Sequence, residues 1–194
     1  MAGLTLRRTV VVVALLNLTY FGVEFAVARA IGSVSLFADS IDFLEDASIN
    51  TLIAVALGWT ARRRAAVGSL LALILLVPGI ATLVTAWQKL QLPVAPDAAL
   101  LGITGLGALV VNLACALLLA RVRAHAGSLS KAAFLSARND AFANVAIIVA
   151  GAATMLTANA WPDLIVGLAI AVLNADAARD VWRAARDERR AAEP

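Results

Sequence analysis

The chain is predicted to be an all-α integral membrane protein, a bundle of six transmembrane helices with both termini in the cytoplasm. Three observations predict this. Of the 194 residues, 62% are hydrophobic and only 15% charged, and mean hydropathy is +0.88. A soluble domain of this size could not bury so much apolar surface. The apolar residues also gather into six runs of about 20, the length a helix needs to cross hydrocarbon. Finally, the basic residues collect at one set of ends of those runs.

The six predicted spans are Thr9–Ala28, Val34–Trp59, Val67–Ala86, Ala98–Ala120, Ala132–Met155 and Pro162–Val181. Their connections carry helix breakers: Gly32 after the first, Pro93 and Pro96 before the fourth, Gly127 before the fifth, and Trp161-Pro162 at the start of the sixth. Pro78-Gly79 lies inside the third run, where a kink is expected. Residues 1–181 therefore form the membrane domain, and 182–194 a short charged tail.

Orientation follows from lysine and arginine. Arg7 and Arg8 precede the first span, Arg62, Arg63 and Arg64 follow the second, and Arg121, Arg123 and Lys131 separate the fourth from the fifth. Five further arginines from Arg179 to Arg190 follow near the end, whereas the opposite side has only Arg29 and Lys89. The positive-inside rule puts both termini in the cytoplasm, in agreement with an even number of spans. A cleaved signal peptide ending near Ala28-Arg29-Ala30 competes with this reading, but Asn17 and Glu24 interrupt its apolar core.

Composition also excludes several classes of function. The net charge of +3 is spent on topology, so no nucleic-acid partner is expected. A lone cysteine, Cys115, and a lone histidine, His125, leave no material for a disulfide framework or a Cys/His zinc site. With no nucleophile–base pair apparent, an enzyme is not expected.

What remains is acidic residues inside predicted spans, where ionisable groups are costly and usually functional. On the second span Asp39, Asp42, Asp46 and Asn50 share a face within about 80° of arc, with Glu45 pointing away. Ser136, Asp140 and Asn144 do the same on the fifth, and the first contributes Asn17 and Glu24. Depth counting puts Asp46, Asp140 and Asn144 near the middle third of the bilayer. Arg138 lies on nearly the opposite side of its helix from Asp140. Carboxylates gathered at low dielectric must hold protons or bind a cation. Alternation between the two is the core of a proton-coupled cation exchanger. An all-oxygen set suits Mn²⁺, Fe²⁺ or Mg²⁺ as well as zinc. The bland alternative is that Asn17, Asn112, Ser136 and Asn144 only hydrogen-bond between helices.

The pattern Ser35-Leu36-x-x-Asp39-x-x-Asp42-x-x-x-Asp46 resembles that of the cation diffusion facilitator family. The resemblance extends over Asn17, Glu24, Gly32-Ser33, Asn112, Ser136-x-x-x-Asp140, Trp161-Pro162-Asp163 and Gly167, nearly the whole chain. It implies export of divalent metal against proton entry, with Asp42, Asp46 and Asp140 as ligands. Zinc-transporting members commonly have histidine where Ser136 stands, so Asn144 or water is the expected fourth ligand ahead of Ser136. The family's cytoplasmic ferredoxin-like domain is expected to be absent, and with it the usual regulatory sites. A homodimer is expected through membrane contacts, with Gly167 and Ala171 allowing close approach.

The expectation is thus a multi-pass transporter of the inner (plasma) membrane exchanging divalent cations for protons. No cofactor is permanently bound, and Zn, Mn, Fe, Co and Mg are not distinguished as cargo. Asp39 and Glu24 are expected at the outer vestibule or on the proton path. Two alternatives keep the fold: a non-transporting membrane subunit or scaffold, and a small exporter of organic cations.

Overall fold

A computed structural model of the chain describes residues 2–56, 59, 80–122 and 127–174, with side chains at 6–55, 59, 80–122 and 137–174. The Pro78-Gly79 kink, Arg62 to Arg64, His125, Asp176 and the charged tail lie outside the described residues, as does the side chain of Ser136. Among the described residues six helices run in order: α1 Ala2–Ile31, α2 Val34–Ala56, α3 residues 80–91, α4 Ala98–Val122, α5 Gly127–Thr157 and α6 Trp161–Asn174. No strand occurs among the described residues.

Stretches of α1, α4 and α5 (Leu6–Ile31, Ala98–Val122 and Ala137–Thr157) are long and apolar enough to cross a membrane, and α6 is a shorter apolar helix. The 23 residues of α2 are as well matched in length, but four acids dilute their apolarity. Polarity runs outward from wet to greasy, the reverse of a soluble protein. Asn17, Glu24, Asp39, Asn50 and Asn144 are fully buried, while Leu117, Phe142 and Leu156 are 66–87% exposed. Lipid is the solvent such a surface requires.

Several helices exceed their predicted spans because a backbone ladder continues past the hydrocarbon until something stops it. Gly127, expected in the connection before the fifth span, is the first residue of α5. α1 runs on to Ile31 and ends in a Schellman turn. Gly32 takes φ 65°, a conformation glycine adopts without steric cost, and Ser33 N–H bonds to Ala28 O at 3.0 Å. The Ser33 hydroxyl then caps α2 by accepting from Leu36 N–H at 3.1 Å. Asp97 caps α4 through Leu100 N–H. α5 stops at Ala158, whose φ is 50°, and Asn159 then caps α6 through Trp161 N–H.

Four helices close into a ring: α1 packs on α2 and α4, α4 on α5, and α5 on α2. Two apolar clusters fill it at different heights. One joins Val10, Val13, Ile53, Cys115, Leu119 and Ala137; the other joins Ala28, Leu36, Phe37, Leu101, Ile147 and Ile170. Asn17 and Glu24 of α1, Asp42 and Asp46 of α2 and Asp140 of α5 fall between them along their helices, while Asp39 stands beside the second cluster.

α6 is bound to the start of α2. Asp163, fully buried, accepts from Ser33 Oγ at 2.6 Å, Ser35 Oγ at 2.7 Å, Val34 N–H at 2.9 Å and Ser35 N–H at 3.1 Å. An anion at a helix N-terminus meets both its free amides and its dipole. Gly167 makes this closeness possible, since a Cβ there would lie 2.7 Å from Ser35 N. Its small size is therefore used within the chain. α3 joins the same end, where Lys89 Nζ donates to Gly32 O at 2.5 Å. The α1–α2 turn, the end of α3 and the start of α6 thus meet on one side, as alternating spans require.

Two outcomes follow. Asp163→Ala should lower stability by about 3 kcal/mol, because two buried amides and two hydroxyls lose a charged acceptor. Thermal unfolding of the detergent-solubilised protein measures this. In the same assay Ala158→Gly should raise stability by about 0.5–1 kcal/mol, since glycine takes positive φ without the Cβ penalty.

Candidate cation site between α2 and α5

The polar stripe of α2 faces the interior of the ring. Asp39, Asp46 and Asn50 are buried and Asp42 is half-buried, as the shared arc requires. Asn50 Nδ2 donates back to Asp46 O at 2.8 Å. Hydroxyls elsewhere behave the same way, with Ser48 donating to Leu44 O and Thr51 to Ala47 O. Such i−4 bonds satisfy a hydroxyl in hydrocarbon without help from another helix.

On α5, Asp140 is half-buried and Asn144 fully buried. Asp140 interacts electrostatically with Asp42 and Asp46 across the α2–α5 contact, and Asp39 and Glu45 act on both Asp42 and Asp140. Glu45 is half-buried and so belongs to this field, although its side of α2 differs. In this conformation the carboxylates are electrostatically linked without closing on one centre. Among the described residues, no three His, Cys, Asp or Glu side chains form a metal-holding group.

Two cations among the described residues are directed elsewhere. Arg138 is exposed and donates to Asn139 Oδ1 at 3.3 Å; Lys89 is held at the α1–α2 turn.

Asn144, expected beside Asp140 as a metal ligand, has both ends of its amide engaged. Its Oδ1 accepts from Asn112 Nδ2 at 2.9 Å, and its Nδ2 donates to Asp39 Oδ2 at 2.5 Å. One chain of donors therefore runs from α4 through α5 to α2. Asn112 is 2% exposed, so no water replaces its bond. Beside this chain, Tyr20 of α1 donates to Thr104 O of α4 at 2.6 Å and meets Phe43 of α2 in a tilted ring contact with centroids 5.1 Å apart.

Sequence spacing identifies Asn112 and Asn144 as possible interhelical hydrogen-bonders, but not as partners of each other. Asp163 appears in the sequence only as part of a motif. A charged residue one step inside the predicted sixth span was the available sign of its buried role.

Asn112→Leu isolates this chain. It should destabilise the protein by about 1–3 kcal/mol, because the buried Asn144 carbonyl loses its donor. Thermal unfolding reads this directly.

The family assignment rests on the whole span as well as on these residues. No curated protein matches the chain. Residues 10–188 match the model of the cation efflux transmembrane domain. That range holds every acidic residue described above and covers most of the 194 residues. The chain therefore belongs to the cation efflux, or cation diffusion facilitator, family of membrane transporters.

Proposed function

We propose that this cation transporter exports divalent metal from the cytoplasm in exchange for protons, binding the metal at Asp42, Asp46 and Asp140. One observation carries the reading: aspartates of two facing helices interact electrostatically in a layer bounded on both sides by apolar clusters. Such a layer can be opened from either side when one cluster parts, which is what alternating access requires. Metal arriving from the cytoplasm displaces protons from the carboxyl groups and draws α5 against α2. Rocking of the bundle then exposes the site outward, where protons reclaim the oxygens and release the metal.

Water takes the fourth position, because the Asn144 amide is spent on Asn112 and Asp39. Ser136 supplies at most a weak neutral oxygen. The oxygen-rich set accommodates Mn²⁺, Fe²⁺, Co²⁺ and Mg²⁺ alongside Zn²⁺. Both termini face the cytoplasm of a cell with this protein in its inner (plasma) membrane, and the assembly is a homodimer formed through lipid-facing surfaces other than that of Gly167.

Proteoliposomes test the reading. With the lumen made acidic, outward proton flow should drive Zn²⁺, Mn²⁺, Fe²⁺, Co²⁺ or Mg²⁺ inward, and Asp46→Ala should reduce uptake to the level of empty vesicles. Failure of every metal to move, or wild-type uptake by Asp46→Ala, would overturn the proposal. Ser136→His should increase zinc uptake relative to the other metals. An unchanged selectivity would place position 136 outside the ligand set.

A further inference from the structure

Glu24 of α1 is fully buried, and neither of its carboxyl oxygens has a hydrogen-bond partner. Within hydrogen-bonding reach stands Asp39 of α2, also fully buried. Asp39 Oδ2 is satisfied by Asn144, but its Oδ1 has no partner. Two carboxylates contain no hydrogen with which to bond each other. Left as two anions, they would leave three buried oxygens unanswered and repel one another, at a cost no membrane interior offsets.

The donor chain leaves one way to complete this contact. Asn112 donates to Asn144, and Asn144 donates to Asp39, so both donated bonds of the chain run toward the acids. Asp39 receives and has nothing to pass on. The missing hydrogen must therefore lie between Glu24 and Asp39 themselves. The titratable groups acting on the pair are Tyr20 of α1 and Asp42 of α2, with Asp140 of α5 reaching Asp39. None of them supplies a positive charge. The Tyr20 hydrogen is committed to Thr104 O, and α4 presents the neutral Asn112.

We propose that Glu24 and Asp39 hold one proton between them, as a carboxylic acid–carboxylate pair separate from Asp42, Asp46 and Asp140. The site binds a proton only. Asn144 fixes Asp39 Oδ2 as an acceptor, and the bridging hydrogen joins Asp39 Oδ1 to a Glu24 oxygen. Asp39 lies three residues, or about 4.5 Å of helix rise, from Asp42, so the proton sits one step from the proposed ligands without belonging to them. The proposal does not depend on transport, because occupancy of the pair is measurable in a protein that moves no metal.

Infrared spectroscopy of the full chain in lipid nanodiscs at neutral pH tests it. The wild type should show a carboxylic-acid carbonyl band that shifts in deuterated water. Glu24→Gln and Asp39→Asn each replace the bridging hydrogen with an amide hydrogen, so either variant should lose that intensity while keeping the wild-type unfolding temperature. Glu24→Ala, which supplies no hydrogen, should unfold at lower temperature. Absence of the band from the wild type, or its full retention in both isosteric variants, would overturn the proposal. Failure of metal exchange with the band present and sensitive to Glu24→Gln would remove the exporter reading and leave this one standing.

Discussion

A carboxylate surrounded by hydrocarbon has no water to turn to, and this chain places several of them inside one ring of helices. Everything near mid-bundle is arranged around that constraint. Hydroxyls bond to carbonyls of their own helix, amides line up as donors toward Asp39, and the tyrosine hydrogen goes to a backbone oxygen. Apolar clusters seal the layer on either side. The low dielectric that makes unpaired charge costly also strengthens every attraction between a buried carboxylate and an opposite charge.

The same physics works structurally at the other polar centre. Asp163 is as buried as Asp39, yet four donors from the start of α2 converge on it. Its charge is answered by the amides and dipole of a helix N-terminus, leaving no demand for a cation. Asp163 therefore fixes α6 to the entry of α2, and Lys89 ties α3 to the same turn. The acids of the middle layer lack so complete a set of donors, and that contrast sets Asp163 apart from them. It also leaves one end of the bundle firmly joined while the α2–α5 contact deeper in the ring carries the acids that interact.

Much of this was legible in the sequence, for local reasons. Hydropathy and length mark the helices, and a 100° rotation per residue puts Asp39, Asp42, Asp46 and Asn50 on one face wherever that face points. Gly32 followed by Ser33 is a helix stop and start in adjacent residues. Gly127 stands at the first residue of α5, a helix terminus, where few backbone bonds depend on it. Gly167 suggests a place for a second copy to approach, but α2 of the same chain already occupies it. A small residue announces close packing without saying against what.

Composition and periodicity act within a single helix, and they suffice for the solvent, the helical class, the stripe on α2 and its counterpart around Asp140. How the polar groups are shared out depends on the packing of one helix against another. That packing set Asn144 between Asn112 and Asp39, Asp163 beneath α2, and Glu24 against Asp39. Those pairings depend on the rotation and height of each helix relative to its neighbours. Packing across the whole bundle sets both, and residue spacing along one helix contains neither.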